Sequence, residues 1–140
     1  MSRIFWDTSL FIYLFEKHVQ FFAPTLALRE RIRDRKDELL TSAMTLGEIQ
    51  VGPRRDYDYS RARMYRDAVH QTCTVLPFNE AAADIYASIR ENPAIRPPDA
   101  IQLSCAGAAG VELFITNDKN LHKLTVPGIH FVTSLDRVPI

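Results

Sequence analysis

The stretch Arg3-Ile4-Phe5-Trp6-Asp7-Thr8-Ser9 decides how the rest of the chain is read. A short apolar run halts at a carboxylate, and two hydroxyl residues follow at once. A run this short, closed by polar residues, fits a buried parallel strand over Arg3–Trp6. The strand would deliver Asp7 to the carboxyl edge of a sheet, with Thr8 or Ser9 capping the next helix. In open α/β sheets ligands bind at that edge, so an acid there is placed for chemistry. The bland alternative makes Asp7 a capping or turn residue and nothing more.

Working outward, the same unit recurs. Further strands are expected over Glu38–Ser42, Thr74–Pro77, Glu112–Thr116 and Ile129–Val132. Between them lie helical patterns: Ser9–Lys17, a helix opened by Pro24, a short one from Thr45 to about Gly52-Pro53, Asp56–Thr72, an Asn79-capped helix to about Arg90, and a small-residue helix from Pro98-Asp99 to Gly110. Pro at a first helical position and Asp beside it suit a helix N-terminus. Alternation of strand and helix argues for a parallel sheet with helices on both faces. The aromatic first helix, with Phe11, Tyr13, Phe15 and then Phe21 and Phe22, carries more apolar surface than one sheet face covers; either it is wholly buried or part of it meets another chain.

One hundred and forty residues suit a single domain, 1–140, able to bury a core without staples. Seventeen basic residues balance seventeen acidic ones, so no global field attracts nucleic acid, and any such binding rests on local patches. Two such patches are legible: Arg29, Arg31, Arg33, Arg35 and Lys36, and the arginines 54, 55, 61, 63 and 66 mixed with Tyr57, Tyr59 and Tyr65. Both are also ordinary solvated helix faces. Cys73 and Cys105 lie far apart in apolar surroundings, which is neither a disulfide framework nor metal spacing. With no signal-like or membrane-length apolar run, a cytoplasmic protein is expected.

Asp7, Glu48 and Asp118 each follow a strand on this reading, and Asp99 opens a helix after the rigid Pro97-Pro98. Right-handed crossovers bring those strand ends to one edge. For Glu48 a structural alternative is specific: Thr45 and Glu48 have capping-box spacing. Asp84, in mid-helix, reads as a surface acid. Four carboxylates without histidine or cysteine suit Mg²⁺ or Mn²⁺ rather than Zn²⁺. Two like charges ~4 Å apart repel by roughly 4 kcal/mol at an effective dielectric of about 20, so clustered carboxylates need cations or protons.

At these residues the chain resembles the PIN-domain family, and within it the VapC-type toxins of toxin–antitoxin pairs. The matching pieces are Asp7-Thr8-Ser9, Thr45-Leu46-Gly47-Glu48 with Gly52 beyond, Pro98-Asp99-Ala100-Ile101-Gln102, and Thr116-Asn117-Asp118. The resemblance implies a three-layer α/β/α domain with a mainly parallel sheet of about five strands. It implies a Mg²⁺- or Mn²⁺-dependent endoribonuclease with Asp7, Glu48, Asp99 and Asp118 as the acidic set, Asp7 and Asp99 being the direct ligands. Thr8, Ser9, Thr116 and Asn117 would shape the pocket. It further implies an RNA substrate, a VapB-like antitoxin and a homodimer. The competing readings are a metal-dependent phosphatase or phosphotransferase, for which the second acid that one such family needs two residues after Asp7 is replaced by Ser9, and a catalytically idle RNA- or protein-binding module.

Overall fold

The computed structural model describes residues 1–140. Five strands form one parallel sheet: β1 Arg3–Trp6, β2 Glu38–Ser42, β3 Thr74–Leu76, β4 Val111–Ile115 and β5 Ile129–Thr133, in the order β3-β2-β1-β4-β5. The helices are α1 Thr8–Phe15, α2 Phe22–Arg35, α3 Ala43–Arg55, α4 Tyr59–Thr72, α5 Glu80–Ile89 and α6 Pro97–Ala109.

Alternation along β1 sorts the core into two layers. Ile4 and Trp6 point to one face, with Leu10, Phe11, Leu28, Ile49, Tyr65 and Val69 of α1–α4 packed there. Phe5 points to the other, beneath α5 and α6, and stacks on Phe114 with ring centroids 4.9 Å apart. Rows buried on both faces explain why the strands read as unbroken apolar runs. The α/β/α expectation therefore stands, with a wholly parallel sheet.

Several boundaries differ from the sequence reading for local reasons. The helix after β1 starts at Thr8, because Asp7 itself caps it: Asp7 Oδ1 accepts from the Ser9 amide at 3.0 Å. Pro24 sits in the third position of α2 rather than the first. α3 is longer than expected and runs through Pro53 to Arg55. Its cap is Ser42, whose hydroxyl accepts from the Met44 amide, so the Thr45–Glu48 capping box does not form. Asn79 caps α5 through the Ala82 amide as its position implies, and Asp84 is exposed.

Much of the aromatic surface around α1 is covered within the molecule. Phe15 stacks on Tyr65 of α4 and Tyr13 packs on Phe21, while Ile12 and Val19 stay exposed. On the opposite layer α6 lies very close to the turn before β5. A Cβ on Gly107 would stand 2.4 Å from the Pro127 carbonyl oxygen, and Gly128, at φ +86, faces the Gly107 backbone. Only glycine permits that approach. No helix is long and apolar enough to cross a membrane.

Candidate active site

The chain lays down β1, β2 and β3 in one direction, then returns to place β4 on the other side of β1. The carboxyl ends of β1 and β4 therefore flank the switch point, where open α/β sheets form a crevice. Register fixes what lies there. Trp6 pairs with Ile115, and the ladder continues past the strand ends through Asp7 N to Ile115 O at 3.3 Å and Thr116 N to Thr133 O at 3.0 Å. Asp7 thus stands beside Thr116, and Ser42 ends the neighbouring strand.

Asp7 is the electrostatic centre. Burial pushes its carboxyl up to about 7 from the ordinary value of 3.8, and the nearby charge of Asp99 pushes the same way. The Thr116 hydroxyl and the Ser9 and Leu10 amides oppose this without cancelling it. Asp99, in the first turn of α6, is largely shielded and pairs with Arg96 at 3.3 Å. The Arg96 side chain is exposed, so this partner neutralises Asp99 only weakly.

Glu48 reaches the same edge from α3. Its Oε1 accepts from the Thr8 hydroxyl at 2.6 Å, which ties α3 to the first turn of α1. Asp118 follows β4, but its Oδ1 accepts from the Asn120 amide at 3.0 Å and caps the short turn Lys119–Leu121. Its own amide donates to the buried Thr116 hydroxyl at 3.1 Å. Asn117 bridges outward: its Oδ1 takes the Leu135 amide at 3.0 Å and its Nδ2 donates to the Tyr13 hydroxyl at 3.4 Å.

All four acids predicted from sequence therefore lie at or beside the carboxyl edge, but they do not close into a cup. No three His, Cys, Asp or Glu side chains stand close enough together to hold an ion. The coupled pair is Asp7 and Asp99, with Glu48 held toward Thr8 and Asp118 occupied as a cap. An all-oxygen pair around a poorly compensated buried charge still fits a hard cation. Mg²⁺ characteristically takes one or two carboxylates and fills its shell with water and substrate phosphate. The thiols offer no rival nucleophile, since burial pushes Cys105 up to about 11 and Cys73 up to about 12.

Two polar residues at this edge were not given roles from the sequence. Gln102, one turn after Asp99, is almost completely buried and bonds both Thr8 and Thr45. Its signal was present, as an amide among Ala, Leu, Ser and Cys on the inward face of α6. Tyr13 reads as apolar surface in the sequence, yet its phenol meets Asn117, and burial together with the Asp7 charge raises it above the usual tyrosine value.

Residues 4–126 match the family described as PIN domain. The chain belongs to the PIN-domain family. The Asp7–Asp99 edge is accordingly the candidate active site of a PIN domain. By structure, this PIN domain is similar to VapBC2 from Rickettsia felis bound to a promoter DNA fragment, with TM-score 0.71, 17% identity and coverage of 94% of this chain and 98% of that one. It is also similar to DNA-bound VapBC from Salmonella typhimurium, with TM-score 0.71, 22% identity and coverage of 96% and 99%. VapBC-5 from Mycobacterium tuberculosis, a toxin–antitoxin system, aligns with TM-score 0.64, 19% identity and coverage of 96% and 99%. Identities this low speak for the PIN fold. No curated protein matches this PIN domain by sequence.

Proposed function

We propose that this PIN domain is a divalent-metal-dependent endoribonuclease and the toxin of a toxin–antitoxin pair. The observation that carries the reading is Asp7: a carboxylate buried at the switch point, raised to about 7, with a second acid, Asp99, as its electrostatic neighbour. Such a pair is poised to receive a cation. Asp7 and Asp99 would hold Mg²⁺ or Mn²⁺, with Glu48 and Asp118 contributing through water or by orienting the attacking water. The ion would supply Lewis acidity and charge stabilisation for a phosphodiester.

The chain's own residues have separable tasks. β1 and α6 hold Asp7 and Asp99 on rigid elements, which suits pre-organised electrostatic catalysis. Glu48, tied to Thr8, would orient the attacking water or act on the ion through water. Thr116 and Ser9 hold the orientation of the Asp7 carboxylate. The toxin role draws on the structural relatives, which are toxin–antitoxin complexes. It makes a VapB-like antitoxin the partner, RNA the substrate, a homodimer the assembly and the cytoplasm the setting. Exposed Ile12, Val19, Tyr57, Tyr59 and Met64 leave apolar surface for such partners.

The test is cleavage of single-stranded RNA by purified protein with and without Mg²⁺ or Mn²⁺. Cleavage should require the ion, and Asp99→Asn should lower kcat/KM by about a thousandfold, or ~4 kcal/mol of transition-state stabilisation. Undiminished cleavage in EDTA, or by Asp99→Asn, overturns the assignment. Expression should arrest growth and a co-expressed antitoxin should restore it; normal growth with an active enzyme rejects the toxin role alone.

A further inference from the structure

Beneath the acidic edge lies a buried hydrogen-bond chain whose direction can be worked out proton by proton. Thr41 donates to the Trp6 carbonyl at 2.9 Å, which uses its only proton. The Thr41–Thr45 contact at 2.8 Å must then be donated by Thr45. Glu48 has no proton to give when ionised, so Thr8 donates across the 2.6 Å contact to Glu48 Oε1. Both threonine protons nearest Gln102 are now committed elsewhere. Gln102 must therefore present its NH₂ to them, and it lies 2.9 Å from Thr8 Oγ1 and 2.9 Å from Thr45 Oγ1. Ser42 fixes that orientation by donating to Gln102 Oε1 at 2.5 Å.

We propose that Gln102 is a positioning residue of the acidic site: by donating to Thr8 and Thr45 it forces the Thr8 proton onto Glu48 and so sets the direction of that carboxylate. The inference rests on the proposed metal-dependent nuclease reading. Its physical basis is occupancy: Thr8 has a second acceptor in reach, Thr45 Oγ1 at 3.1 Å, and the Gln102 amide fills that oxygen's accepting position, which leaves Glu48 as the acceptor of the Thr8 proton. If the amide turned over, its oxygen would face two hydroxyls and draw the Thr8 proton away from Glu48. Glu48 would then lose its one side-chain donor and sample other rotamers, because α3 leaves it only partly buried. Gln102 is well suited to this task because it is fully enclosed on α6, one turn from Asp99. One helix thereby places one acid directly and orients another through two hydrogen bonds. Residues supporting metal ligands in this way are worth about 10- to 100-fold in metal affinity or activity.

The test compares Gln102→Met, Thr8→Val, Thr8→Ser and the Gln102→Met/Thr8→Val pair by calorimetric titration with Mn²⁺. Gln102→Met and Thr8→Val should each weaken binding about 10-fold or more. Thr8→Ser, which keeps the hydroxyl, should stay close to wild type. The double variant should be no weaker than either single one, since both remove the same bond to Glu48. Wild-type binding in Gln102→Met, or additive losses in the double variant, overturns the proposal. A metal-free crystal structure of the variant decides the point independently: Glu48 released from Thr8 supports it, an unchanged contact refutes it. Should Gln102→Met fail to fold, Ser42→Ala, which removes the donor that fixes the Gln102 amide, carries the decision in the same crystal comparison: Glu48 released from Thr8 supports the proposal, an unchanged contact refutes it. A wild-type protein that neither binds Mn²⁺ nor cleaves RNA sinks the nuclease reading instead, while the Glu48 geometry in that crystal still judges Gln102.

Discussion

The two ends of the same sheet treat charge in opposite ways. At the amino end, Arg3 pairs with Glu38 at 3.0 Å and donates to the carbonyls of Ala109 and Gly110, while its amide donates to Glu112 at 2.6 Å. Close by, Asp37 takes the Ser2 amide and the Arg35 guanidinium, both at 2.7 Å. Each acid there has a cation or an amide, and the result ties β1, β2, α6 and β4 together. At the carboxyl end, Asp7 is buried with a like charge near it and no cation of its own. One end uses its charges to hold the sheet; the other keeps a carboxylate without a cation, whose hydrogen bonds do not offset its burial, and is less stable for it. That is the pattern expected when a site is organised for a ligand the polypeptide does not supply.

The contrast can be broken at three residues. The largest effect falls on turnover: Asp7→Asn should abolish metal-dependent RNA cleavage by about a thousandfold or more, read as kcat/KM. The same substitution should stabilise the metal-free protein at alkaline pH. The folded-state value of Asp7 lies above its unfolded value, so stability falls as pH rises from 3.8 toward about 7 and stays low beyond. Asp7→Asn in EDTA should then gain up to about 4 kcal/mol at pH 8 and little at pH 4, measured by denaturant unfolding. Equal gains at both pH values would show that the carboxylate is not strained by burial.

At the opposite end the sign reverses. Arg3→Met should cost about 2–3 kcal/mol, because Glu38 loses its partner and two carbonyls lose a donor. Cleavage per folded molecule should be unchanged; a proportionate loss of activity would mean the two ends are coupled. The smallest effect concerns Asp37. Burial opposes its ionisation, but the Arg35 and Ser2 hydrogen bonds outweigh that and hold it below the ordinary 3.8. Its contribution is present above that value and lost as pH falls through the lower folded one. Asp37→Asn should cost about 1 kcal/mol at pH 7 and nothing in strong acid, by the same unfolding measurement.

Much of this was legible in the residues themselves. β1 and β2 have the ends expected of them, and Asn79 and Pro97-Pro98 mark helix starts where the backbone needs them. Thr45 and Glu48 show where the structural alternative fails. Their spacing matches a capping box, yet Ser42 takes the cap and frees both for Thr8. A spacing rule sees one helix at a time, whereas Thr8 is forty residues away from Glu48 in sequence.

The sequence by itself determined the alternating strands and helices, the parallel sheet and the presence of acids at strand ends, because hydrophobic period and cap chemistry are local properties. Tertiary structure alone decided which acids are coupled. Strand order sets β1 beside β4 and helix packing sets α6 over β2, so Asp7 meets Thr116 and Asp99 while Gln102 reaches Thr8. It also decided that the edge stays open rather than forming a ready-made cage, since the separation of acids carried on different elements depends on how those elements pack and on which acids are drawn into other bonds, Glu48 by Thr8 and Asp118 by the Asn120 amide.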